Sequence, residues 1–128
     1  MEHKKIKILI IDDEEKIGQL LKKSLMEIAN YEVMTSNDGR DGLLLAKQFQ
    51  PDAILLDVVM PRISGDEVAY QLLEEPQTAK IPIIFMTGLI REEEANANSQ
   101  QIGGRHSLAK PLHINQVVEK IKQVLEKK

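Results

Sequence analysis

The run Ile6-Lys7-Ile8-Leu9-Ile10-Ile11 is almost continuously apolar, rich in β-branched side chains, and stopped abruptly by Asp12-Asp13. A strand of this kind has no polar face to offer water, so both faces must be covered, as in a parallel sheet held between helices. The next segment supplies a cover. Ile17, Leu20, Leu21, Ser24, Leu25 and Ile28 recur at spacings of three and four, which predicts an amphipathic helix closed by Asn30. The alternation then repeats. Strands are expected at Tyr31 to Thr35, at Ala53 to Leu56 ending in Asp57, at Ile81 to Met86 ending in Thr87, and briefly at Ser107 to Ala109. Helices are expected at Asp41 to Phe49, Glu67 to Leu73, weakly at Glu92 to Gln101, and at Ile114 to Leu125. Right-handed crossovers then imply an α/β fold with a parallel sheet covered on both faces, and the expected form is a single-domain, doubly wound (βα)5 arrangement with five strands in order 2-1-3-4-5. No linker, repeat or low-complexity tract interrupts it, so one domain is expected over 1–128.

Composition removes several classes of function. The 128 residues include no cysteine, which excludes disulfides, thiolate metal sites and cysteine nucleophiles together. A hydrophobic fraction of 42% with 29% charged residues is that of a folded chain rather than a disordered one. The net charge of −3 argues against direct binding of nucleic acid by a broad electrostatic grip. No apolar run approaches the roughly 20 residues of a membrane helix, and the N-terminal run is too short for a secretory core, so a cytoplasmic protein without a membrane partner is expected.

The chemistry gathers at the strand ends. In an open doubly wound sheet, ligands bind beyond the carboxyl ends of the strands where strand order reverses, here between the first and third. Those strands end in Asp12-Asp13 and Asp57. Three carboxylates brought together repel by on the order of a kcal/mol per pair, so a compensating cation is expected, and all-oxygen donors suit Mg2+. Thr87 adds a hydroxyl and Lys110 an ammonium. Such a set suits a phosphoryl group, with a carboxylate as acceptor. Singly, each residue has a plainer reading: Asp12 to Glu15 as a helix N-terminus, Thr87-Gly88 as a turn, Lys110 as a solvated lysine. Together they place matching polar groups at four strand ends.

The stretches Ile10-Ile11-Asp12-Asp13-Glu14, Leu55-Leu56-Asp57-Val58-Val59-Met60-Pro61 with Gly65, Met86-Thr87-Gly88 and Leu108-Ala109-Lys110-Pro111-Leu112 occur in an order and at a spacing that are specific in combination. On them the chain resembles, over essentially its whole length, the flavodoxin-like receiver domain of two-component response regulators. The resemblance implies that Asp57 accepts a phosphoryl group from a sensor histidine kinase or histidine phosphotransfer protein. It implies that Asp13, Asp57 and the Val59 backbone carbonyl ligate Mg2+ directly, with Asp12 acting through water. It further implies that Thr87 and Lys110 contact the phosphoryl oxygens, that small Gly88 leaves room for them, and that the Lys110-Pro111 bond is cis. The output would pass to a downstream protein or a further domain through the face formed by the fourth helix, fifth strand and last helix.

The pattern departs in three places. Ser107 stands where receivers usually carry an aromatic residue, and the 23 positions from Thr87 to Lys110 are one more than the common spacing. The segment from Arg91 to Gln101 offers only alanines as an apolar face. His3, His106 and His113 have no partner at metal-ligand spacing and read as surface residues. Three other functions fit less well. A phosphatase with an aspartate nucleophile usually carries Asp-x-Asp after the first strand, whereas this chain has Asp12-Asp13. A flavin phosphate would be repelled by Asp12-Asp13-Glu14-Glu15. A receiver that has lost phosphorylation would not keep Asp12, Asp13, Asp57, Thr87 and Lys110 together.

Overall fold

The computed structural model describes residues 5–88 and 106–126. Five strands, β1 (Lys7–Ile11), β2 (Glu32–Ser36), β3 (Ala53–Asp57), β4 (Ile83–Thr87) and β5 (His106–Ala109), form one parallel sheet in the order β2-β1-β3-β4-β5. The order and the parallel pairing are those expected from the sequence. The described helices are α1 (Glu15–Ala29), α2 (Gly39–Phe49), α3 (Gly65–Glu74) and α4 (Ile114–Glu126). The weak helix expected at 92–101 lies outside the described residues.

The pleat explains the unbroken apolar runs. Ile8 and Ile10 of β1 join Leu55 and Ile84 in a core under α1 and α4, while Leu9 and Ile11 join Leu56 and Phe85 in a second core under α2 and α3. Every residue of β3 and β4 is buried. Each large aliphatic side chain so buried contributes about 1.5–3 kcal/mol. The helices are stopped by local chemistry. Asn30 takes a left-handed conformation with φ 60° after α1, as its position suggested, and Gln50 does the same after α2 with φ 52°.

Boundaries shift by one or two residues, for identifiable reasons. Helix α3 begins at Gly65 rather than Glu67 because the Ser64 hydroxyl caps it, accepting from the Glu67 N–H at 3.3 Å. Asp38 likewise caps α2 through the Arg40 N–H at 3.1 Å. Strand β4 begins at Ile83 because Pro82 has no N–H and the Ile81 N–H turns back to Thr78. Tyr31 is buried but lies just outside β2, which runs on through Ser36.

Candidate functional site

Strands β1 and β3 are direct neighbours, with Ile11 beside Leu56, so the residues that follow them emerge side by side. Asp12, Asp13 and Asp57 converge there, and one carboxylate oxygen from each lies within 4.8 Å of the others. Asp12 and Asp57 are buried, whereas Asp13 is half-buried. Asp12 is fully engaged. Its N–H donates to the Ser36 carbonyl (3.0 Å), Oδ1 accepts from the Glu14 N–H (2.8 Å), and Oδ2 pairs with Lys110 Nζ (3.2 Å). Glu14, at the cap position of α1, makes no side-chain cap of its own; the Asp12 carboxylate binds its N–H instead.

Lys110 follows β5, the neighbour of β4, and its N–H donates to the Thr87 carbonyl at 2.8 Å. Its side chain reaches back across the strand ends. The ammonium lies 3.2 Å from Asp12, 3.6 Å from Asp57 Oδ1 and 3.8 Å from Glu14 Oε1. The Lys110-Pro111 bond is cis, as the family resemblance implied. Thr87 is buried at the end of β4. The Val59 N–H reaches Asp57 Oδ1 at 3.4 Å, and the Val59 side chain is exposed. Thus Asp12, Asp13, Asp57, Val59, Thr87 and Lys110 all lie at one end of the sheet. Gly88 also has space, since an added Cβ would meet Lys110 only at ordinary contact, 3.7 Å. His106 is half-buried at the start of β5, and His113 is exposed at the turn into α4.

The charges are unbalanced. Burial, then the neighbouring Asp12 carboxylate, pushes the Asp57 carboxyl up to about 7; hydrogen bonding to Asp13 adds to this, while Lys110 and the Val59 N–H oppose it. Burial acts against the charge on Lys110, yet Asp12, Asp57 and Glu14 outweigh it and its pKa is raised. One ammonium therefore faces three aspartates and Glu14. The donor set is wholly oxygen, with no histidine among it, and fits a hard divalent cation such as Mg2+.

A stability consequence follows for the metal. Mg2+ at about ten times its dissociation constant should add roughly 1.4 kcal/mol, a melting shift of a few degrees. Asp13→Ala should raise the metal-free melting temperature by removing one repelling charge, and should abolish the shift. Thermal melts of both proteins with and without Mg2+ check this, and an unchanged metal response in the variant would refute the ligand set.

The family model of the response regulator receiver domain matches residues 8–122. The chain belongs to that family. PilH of Pseudomonas aeruginosa is 33% identical over 119 residues, which cover 93% of this chain and 97% of PilH. The DNA-binding dual master transcriptional regulator RpaA of a Synechocystis species is 34% identical over 123 residues, 94% of this chain but 49% of RpaA. The chain thus spans about half the length of RpaA. Among solved structures, the chemotaxis protein CheY4 of Vibrio cholerae superposes with a TM-score of 0.83 at 30% identity, covering 95% of this chain and 100% of that one. This receiver domain is a phosphoacceptor module of two-component signalling. No helix among the described residues is long and apolar enough to cross a membrane.

Two residues near the receiver's acidic cluster escaped the sequence reading. Glu14 pairs with Lys110, and Arg62 has a left-handed backbone with φ 71°. Pro61 before it and Gly65 after it are turn-favouring residues, but nothing in them says which residue takes the strained position.

Proposed function

We propose that Asp57 is the phosphoacceptor, that Asp13, Asp57 and the Val59 carbonyl hold Mg2+ with Asp12 acting through water, and that Thr87 and Lys110 receive the phosphoryl oxygens. The observation that carries this reading is the difference between the two buried aspartates. Both oxygens of Asp12 are engaged, at 2.8 and 3.2 Å, whereas the Val59 N–H and Lys110 stand farther from Asp57 Oδ1, at 3.4 and 3.6 Å. Asp57 also ends the central strand, paired with Met86 of β4, and follows Leu56, which the sheet holds from both sides.

In the transfer, a carboxylate oxygen of ionised Asp57 bonds to phosphorus as the phosphorus–nitrogen bond of a phosphohistidine breaks. The departing imidazole takes its proton from the donor protein or solvent. Bound Mg2+ would neutralise part of the charge on the phosphoryl oxygens. Lys110 needs little movement to pair with a phosphoryl group on Asp57, because its ammonium is already 3.6 Å from that carboxylate. The same groups, with water as the attacking species, support slow loss of the phosphoryl group.

The partners in this reading are a sensor histidine kinase or phosphotransfer protein upstream, and a target protein or further domain downstream. The downstream contact uses the face that includes β5 and α4, in a cytoplasmic setting. Ser107 is buried and lies in register with Phe85, but is too small to follow Thr87 as an aromatic ring would.

Intact mass spectrometry tests the assignment. With acetyl phosphate and Mg2+ the chain should gain about 80 Da, one phosphoryl group. Asp57→Asn should gain nothing. An equal gain in the variant would move the acceptor elsewhere.

A further inference from the structure

The segment between β3 and α3 contains a conformation that L-residues avoid. The Ile63 N–H donates to the Pro61 carbonyl at 2.7 Å, closing a three-residue turn around Arg62, whose φ is 71°. A hydrogen bond from residue i+2 to residue i with positive φ between them is the rare, strained form of the γ-turn. Glycine would adopt it at lower cost, yet an arginine stands there. Such an outlier is a reason to look for a function of the side chain it displays.

The turn is held firmly. Ile63 is buried and packs into space that exists because residue 39 is glycine: a Cβ there would approach Ile63 Cγ2 to 2.5 Å. Two residues further on, the Gly65 N–H donates to the Val58 carbonyl at 2.8 Å. Arg62, exposed and immediately before the buried Ile63, lines a cleft with Met60, Pro61, Asn37, Asp38 and Asp13. Asp13 belongs to both this cleft and the carboxylate cluster. Among the described residues, Arg62 forms no ion pair, whereas Lys110 is committed to three carboxylates.

We propose that Arg62 is a specificity-determining residue for the phosphodonor, its uncommitted guanidinium drawing doubly anionic phosphoryl donors into the cleft beside Asp13. The inference rests on Asp57 being the acceptor. An approaching dianion meets an acidic cluster, and a fixed cation at the rim offsets that repulsion. Arginine suits this role because its planar fork pairs with phosphate oxygens bidentately. Glycine would make the turn more stable but could not supply the charge.

The test compares two small donors on the intact chain with Mg2+. Acetyl phosphate carries two negative charges near neutral pH, while the protonated nitrogen of phosphoramidate cancels one of its own. In the acetyl phosphate reaction the bond between phosphorus and the acetyl oxygen breaks, Asp57 bonds to phosphorus, and acetate leaves. Arg62→Gln should lower the second-order rate with acetyl phosphate about three- to fivefold, and with phosphoramidate less than twofold. Arg62→Lys should restore most of the loss, and the salt dependence of the acetyl phosphate rate should flatten in Arg62→Gln. Arg62→Gly should show the same slowing while melting about 2–4 °C higher, which separates lost charge from lost fold. Mg2+ affinity should be unchanged in Arg62→Lys and should not fall in Arg62→Gln or Arg62→Gly, since losing a cation can only ease binding of another.

A parent-like acetyl phosphate rate in Arg62→Gln would overturn the proposal, as would equal slowing with both donors or a matching loss of Mg2+ affinity. In each of those cases the parent chain still gains one phosphoryl group that Asp57→Asn does not. If the parent gains none, or Asp57→Asn gains as much, the acceptor assignment itself has failed.

Discussion

Gly65→Ala should destabilise the domain by about 2–4 kcal/mol, the steep end of the overpacking range, and should weaken Mg2+ binding with it. A Cβ at position 65 would collide with the Asp57 carbonyl oxygen and lie 2.8 Å from the Val58 Cα. Neither is the flexible end of a side chain. Both belong to the backbone that leaves β3, pinned between β1 and β4, so α3 must move outward or Asp57 must shift. Either response also opens the hydrogen bond from the Gly65 N–H to the Val58 carbonyl. Gly18→Ala is the matched control. In the interior of α1 an added Cβ would meet Thr35 only at 3.8 Å, and alanine should gain about 0.5–1 kcal/mol there from helix propensity. Urea unfolding of the two variants should therefore move in opposite directions. A Gly65→Ala midpoint equal to that of the parent would mean that α3 does not rest on the acceptor's backbone as the structure has it.

The architecture was legible in the sequence because covering both faces of a strand leaves a visible mark. Ile8 to Ile11 and Ile54 to Leu56 each serve two cores in alternation, so a continuous apolar run could mean little else. The site was legible because the fold delivers strand ends to one edge: Asp57 and Thr87 end their strands, and Asp12 and Lys110 immediately follow theirs. Less legible were features set by side chains closing on backbone. The Ser64 cap that starts α3 two residues early was present as a serine three positions before Glu67, a pattern that marks an N-terminus. The pairing of Glu14 with Lys110 joins residues 96 positions apart and depends on the path of one lysine side chain. Arg62 was the least legible. Its positive φ goes with the packing of Ile63 beside Gly39, a long-range contact that no local preference of Pro-Arg-Ile predicts.

The metal-free domain should lose stability as pH rises from about 4 to about 8, and Asp57→Asn should remove most of that dependence. The Asp57 carboxyl lies at about 7 in the folded chain against 3.8 for the free side chain. A raised pKa means that the folded state binds the proton more tightly than the unfolded state. The proton's contribution is therefore complete below about pH 4 and lost as pH climbs through about 7. With each unit equivalent to about 1.4 kcal/mol, the loss is on the order of 2–4 kcal/mol, or roughly 10 °C in melting temperature. Asparagine keeps the shape and carries no charge at any pH, so the difference between the two melting curves isolates this one group from other titrations. Mg2+ should act in the opposite sense. Binding at the carboxylates competes with the proton, so its affinity should rise nearly tenfold per unit up to about pH 7 and level off above it. Phosphorylation by acetyl phosphate should follow the same profile, because only the ionised carboxylate attacks phosphorus. A melting difference between parent and Asp57→Asn that stays constant from pH 5 to 8 would show that Asp57 is already ionised in the folded chain. The repulsion among the three carboxylates would then have to be offset by Lys110 alone.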